Sequence, residues 1–171
     1  MGLEYLGKVD KYSILEVIIL AAQSLKTIDK DYLLEISHMQ YTLHFLESLN
    51  LGETKYMSML DSIRQKNVTE IRQTALAAGI EEELIEILCQ IPFLYGEMES
   101  TLERAEKMAL NDEMIEDIKE LQEYCRAVES LGYGKNIQLD LSMVNDIDYY
   151  NGIIFRGYIR NLPGCVLAGG Q

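Results

Sequence analysis

The chain of 171 residues carries 28 acidic against 15 basic residues, a formal net charge of −13, and 48% of it is hydrophobic. That apolar content can bury a core and excludes a disordered chain. The acidic excess argues against a nucleic-acid grip, which needs clustered Lys and Arg. No apolar run approaches the roughly 18 residues of a membrane span. Glu4 and Asp10 stand where a signal peptide would be basic and then apolar, so a cytoplasmic protein with no membrane partner is expected.

The first element expected is a short strand over residues 3–7, with Leu3 and Tyr5 on one face. Residues 12–26 read as a helix apolar nearly all round, with Ser13 as N-cap and Glu16 completing a capping box. A strand over 32–37 and a helix over 39–49 follow; Leu43, Leu46 and Leu49 form the stripe of the latter. The order strand, helix, strand, helix suggests an α/β or α+β core layer.

From Gly52 onward, helical patterns follow one another without strands. They cover 54–65, with Met57, Leu60 and Ile63 inward; 68–78, ending at Gly79; 81–90, stopping before Pro92; 97–110; and 112–131. The last is the strongest, because Met114, Ile118, Leu121, Cys125 and Val128 alternate steps of four and three behind an Asn111 cap. The scattered methionines read as core filler. The acidic helix faces read as solvated surface, with a docking module for a basic partner as the other reading.

Strands return after Gly134: one with Ile137, Leu139 and Leu141 on one face, a longer run over 148–159, and a short one over 166–168. The helices would then interrupt one sheet, dividing the chain into 1–52, 53–130 and 131–171. Cys89, Cys125 and Cys165 lie far apart, and no CxxC unit or His spacing suggests zinc, so free thiols and no metal or other cofactor are expected.

Residues 139–155, LDLSMVNDIDYYNGIIF, concentrate the chemistry. A glycine within a strand, Gly152, marks a close approach by a ligand or another backbone. Tyr150 beside it offers a flat ring and a hydroxyl, and Asn145-Asp146 is turn chemistry. A Gly-containing edge strand with core tyrosines would leave the same pattern.

The stretch DLSMVNDIDYYNGIIF, followed by VLAGGQ, resembles the histidine-specific signature of class II histidyl-tRNA synthetases and their relatives. GLEYLG at residues 2–7 is similar to the strand that closes their motif 2, and residues 13–25 to the helix after it. The resemblance is dense at both ends and weak through the helices between. It implies an α+β fold, part of the class II aminoacyl-tRNA synthetase antiparallel sheet with a helical insertion. It also implies a histidine pocket made by Glu4, Tyr149, Tyr150, Gly152, Gly169 and Gly170. A carboxylate from Glu4 and a hydroxyl from Tyr150 would satisfy the donor and the acceptor nitrogen of a neutral imidazole. The glycines would keep the floor of the pocket open.

Two departures limit the implied chemistry. The family's catalytic arginine falls at Asn145, followed by Asp146, and a second arginine falls at Gln171. An amide beside a carboxylate supplies no fixed positive charge for adenylation. The resemblance therefore points to the non-aminoacylating relatives, the regulatory subunits of ATP phosphoribosyltransferase. Their implied partners are histidine as effector and the short-form catalytic subunit, in a hetero-oligomer built on a homodimer. A divergent histidyl-tRNA synthetase is the alternative. Motif 1, motif 3 and an anticodon-binding domain have no counterpart in the 171 residues, so an excised piece of a longer protein is expected.

Overall fold

A computed structural model describes residues 2–144 and 150–171. Helix α1, Lys11–Ile28, starts at Asp10, whose side chain accepts from the Ser13 amide at 2.9 Å. The Ser13 hydroxyl in turn accepts from the Asp10 amide at 2.9 Å. The capping box is therefore Asp10 with Ser13, and the expected assignment of Ser13 as N-cap was three residues late. Asp10 accepts this role because its extended backbone lets the side chain reach forward to an otherwise orphan donor.

Strand β1 (Tyr32–His38) runs directly into helix α2 (Met39–Ser48). Helices α3 (Glu53–Arg64), α4 (Val68–Ala77) and α5 (Glu82–Leu88) follow, then a 3-10 turn over Ile91–Phe93. A two-residue strand, β2 (Tyr95–Gly96), interrupts the helices where none was expected. It is too short to leave a period-two signal. Helices α6 (Met98–Met108) and α7 (Asp112–Ser130) lead to strands β3 (Ile137–Asp140), β4 (Ile153–Ile159) and β5 (Leu167–Gly170).

The described strands form one sheet in the order β2-β3-β1-β4-β5. It is mixed rather than wholly antiparallel: β1 pairs with β3 in parallel and with β4 antiparallel. The parallel pair is possible because the helices α2 to α7 provide the long crossover it requires. Leu34 and Ile36 of β1 are buried against the helices, and α1 crosses β4 at Gly157, where a Cβ would lie 2.7 Å from Leu25 Cδ1. One continuous apolar cluster links the residues of α1, the sheet and α2 to α7.

On α7, Met114, Ile118, Leu121, Cys125 and Val128 are all buried, as their spacing predicts. On α3 the phase differs: Met59, Leu60 and Ile63 are buried, whereas Met57 is 48% exposed. The other methionines of the helical stretch, Met98, Met108 and Met114, fill the core. Cys89 and Cys125 are buried free thiols and Cys165 is an exposed one. Burial pushes the Cys125 thiol up to about 12.

The strand expected over residues 3–7 is absent. Residues 2–10 carry no regular structure, and Leu3 and Leu6 are 64% and 88% exposed. A strand needs a hydrogen-bonded neighbour, and this segment pairs with neither edge of the described sheet. Of the run expected over 148–159, β4 covers Ile153–Ile159, residues 150–152 are not strand, and 148–149 lie outside the described residues.

The cap assignment is testable by urea unfolding. Asp10→Ala should cost about 1 kcal/mol, whereas Glu16→Ala should stay within about 0.5 kcal/mol. The reverse ranking would restore Ser13 as the cap.

Candidate functional site

Strand alternation separates the two sheet faces. One is covered by the helices. On the other lie Glu35 and Ser37 of β1 beside Arg156 and Ile154 of β4, their direct cross-strand partners. Tyr150 joins Ile154 at the end of this face. A Cβ on Gly170 would lie 2.6 Å from Tyr150 Cδ1 and 2.7 Å from Ile154 Cγ2, so the missing side chain is what seats the tyrosine ring. Gly169 does the same on the opposite face, where a Cβ would lie 2.5 Å from Phe155 Cζ. Of the three glycines expected in the pocket floor, Gly170 lies beneath Tyr150, Gly169 lies beneath Phe155 on the opposite face, and Gly152 precedes β4.

Gly152 precedes β4 instead of lying within a strand, and its φ of +129° is a value that favours glycine. A Cβ there would lie 2.7 Å from Gln171 Oε1. The close approach expected at this glycine is made by the chain itself. Its carbonyl accepts from the Met39 amide at 2.9 Å, and the Asn151 amide donates to the Gln171 carbonyl at 2.7 Å. The Gln40 amide group donates to Asn151 Oδ1. The stretch 150–152 is thus tied both to the β1–α2 junction and to the end of β5.

Glu4 is not brought to this site. Glu4 is exposed in the unpaired segment 2–10 and makes no hydrogen bond or ion pair with a described residue. Tyr149, Asn145 and Asp146 lie outside the described residues.

The polar face continues along the sheet. Ser37 is fully buried, and its hydroxyl has no hydrogen-bond partner among the described residues. Burial, then the nearby Asp140 carboxylate, pushes the Glu35 carboxyl above the usual range, against the opposing pull of Tyr158, Lys66 and Arg156. Asp140 accepts from the Ser142 amide at 3.0 Å and pairs with Lys66 at 3.3 Å, and Lys66 sits 4.3 Å from the centre of the Tyr95 ring.

A second cluster escaped sequence reasoning. His38 ends β1 and is 4% exposed. Its Nδ1 lies 3.5 Å from Asp117 Oδ1 and its Nε2 lies 3.5 Å from Glu120 Oε2. Asp117 Oδ2 is 2.7 Å from His44 Nδ1 of α2, and the Tyr124 hydroxyl donates to Glu120 Oε1 at 3.1 Å. One signal was available: Asp117 falls three residues after Met114 and four before Leu121, on the apolar stripe of its helix. An acid in that position needs a buried partner.

A family model described as histidyl-tRNA synthetase matches residues 1–171. The chain belongs to the histidyl-tRNA synthetase family. An ATP phosphoribosyltransferase regulatory subunit from Clostridium kluyveri is 32% identical over 173 residues, covering 99% of this chain and 44% of the relative. A Bacillus halodurans structure described as an ATP phosphoribosyltransferase regulatory subunit/histidyl-tRNA synthetase superposes with a TM-score of 0.85 at 22% identity. That superposition covers 96% of this chain and 43% of the other. A Thermotoga maritima ATP phosphoribosyl transferase (HisG:HisZ) complex gives a TM-score of 0.75 at 19% identity, over 95% of this chain and 57% of that one. The chain thus spans less than half the length of the curated relative it matches, and the likeness to the solved structures fixes the class II synthetase fold.

Two outcomes follow from the site. Gly170→Ala should displace the Tyr150 ring and cost about 1–3 kcal/mol in urea unfolding, the range for overpacking; an unperturbed Tyr150 spectrum would refute the seating. The raised Glu35 pKa means that its protonated form is the one the fold favours. The stability it contributes is present below the unfolded pKa and is lost as pH rises through the folded one. Glu35→Gln should therefore be at least as stable as wild type at pH 7, with the difference shrinking below about pH 4. A variant clearly less stable at neutral pH would contradict this.

Proposed function

We propose that this chain is part of a non-catalytic regulatory subunit of ATP phosphoribosyltransferase, acting in the cytoplasm in histidine biosynthesis and binding histidine as its effector. The observation that carries the reading is the Clostridium kluyveri relative of that name, 32% identical over nearly the whole chain. Asn145 in the position of the synthetase arginine supports a loss of aminoacylation. Among the described residues no helix is long and apolar enough to cross a membrane.

In this reading Tyr150, seated on Gly170, presents its ring and hydroxyl to the imidazole, with Tyr149 and Gly152 shaping the pocket. Glu4 supplies the opposing carboxylate once residues 3–7 are paired in the full-length protein. Residues 53–130 form a helical insertion between the two parts of the synthetase-like core, 1–52 and 131–171. The partner is the short-form catalytic subunit, in a hetero-oligomer that contains a homodimer of this subunit. Regulation then requires histidine to bind two states of that assembly with different affinity.

Titration calorimetry on the full-length protein tests the reading. Tyr150→Ala and Glu4→Ala should each weaken histidine binding at least tenfold, about 1.4 kcal/mol. Equal affinity of variants and wild type would overturn it. The family membership keeps one other reading, a divergent histidyl-tRNA synthetase. Histidine-dependent ATP–pyrophosphate exchange by the full-length protein would establish that activity instead.

A further inference from the structure

The cluster around His38 abuts the Tyr150 site through the backbone. His38 closes β1 opposite Ile153. The next residue, Met39, donates its amide to the Gly152 carbonyl at 2.9 Å, and the one after, Gln40, reaches Asn151 with its side chain. Three consecutive residues at the β1–α2 junction therefore hold three consecutive residues beside Tyr150. The Gln171 amide donates to the Ile153 carbonyl at 2.8 Å, closing the knot onto β5.

Helix α7 grips this junction at one point. The His38 imidazole lies between Asp117 and Glu120, one turn apart on α7, with 3.5 Å to each. Its Nδ1 is buried and makes no hydrogen bond with a described residue. His44 of α2 occupies the other oxygen of Asp117, and Tyr124 occupies the other oxygen of Glu120. A buried cluster of acids and imidazoles is weak evidence for stability alone, since packed apolar side chains would serve as well. Its cost is better understood if it fixes the geometry of something else.

We propose that His38 is a positioning residue for the Tyr150 site, and that α7, through Asp117 and Glu120, sets its position. Displacement of α7 moves the β1–α2 junction and, with it, the run 151–153 that carries the tyrosine onto Gly170. The long helix in the middle of the chain thereby gains leverage over ligand binding at the end of it. The link to ligand binding rests on the reading of Tyr150 as the histidine contact.

The test is amide hydrogen exchange on the full-length protein without histidine, comparing wild type with Asp117→Asn and with Glu120→Gln. Glu120→Gln is the gentler change, because the Glu120 side chain is 35% exposed whereas that of Asp117 is 10% exposed. The amides of Met39 and Asn151 should exchange at least tenfold faster in either variant. Those of Leu34 and Ile36, in the middle of β1, should keep wild-type protection. Unchanged exchange at Met39 and Asn151 overturns the proposal. So does acceleration that spreads equally to Leu34 and Ile36, which would make the cluster a stability element only. Calorimetry then reads the consequence: histidine affinity should fall at least tenfold in the variant with local acceleration, and an unchanged affinity overturns the link. A wild type that binds no histidine defeats the functional reading instead, and the exchange result still decides the positioning.

Discussion

Strand β1 pairs on one side with β3 and on the other with β4, both contributed by the far end of the chain. This double pairing holds the two ends of the sequence together across six helices' worth of intervening polypeptide. Its central residues Leu34 and Ile36 are buried, so the strand cannot shift register by one residue without turning them to the other face. Because β1 passes into α2 with no loop, its C-terminal end is also fixed in direction. The Met39 amide, left over at the start of α2, finds its acceptor in the Gly152 carbonyl. The placement of Tyr150 thus descends from the pairing of β1.

Around that frame, small residues decide what can approach what. Gly157 lets Leu25 of α1 lie on β4, Gly169 admits the Phe155 ring, and Gly170 admits Tyr150 and Ile154. Each closes a contact that a single methyl group would block. The same sheet edge therefore seats one aromatic ring on each of its two faces, Phe155 on one and Tyr150 on the other. Glu35 lies on the same face as Tyr150, and so does Ser37, whose buried hydroxyl has no hydrogen-bond partner among the described residues.

Much of the fold was legible in the sequence for reasons of period. The stripe on α7 and the alternation of Ile137 and Leu139 are strong local signals, and both elements form where they indicate. The Asp10 cap was missed because Ser13 is an equally good cap by type, and only backbone geometry separates them. Strand β2 was missed because two residues carry no period. The segment 2–10 has the alternation of a strand, but pairing is a tertiary event and no described strand supplies it. For the candidate site, the aromatic and the glycines were evident as types. Their partition between two faces, with Gly169 under Phe155, needed the register of β4 and β5. The His38 cluster joins residues nearly eighty positions apart, and only the misplaced acid at Asp117 hinted at it.

The central claim is that the ring of Tyr150, seated on Gly170, is presented to a histidine side chain. A crystal structure of the full-length protein with histidine tests it most directly. The account predicts the imidazole against the Tyr150 hydroxyl and ring, with one of its nitrogens on the Glu4 carboxylate. Histidine bound away from Tyr150, with the tyrosine still packed on Gly170, would contradict it.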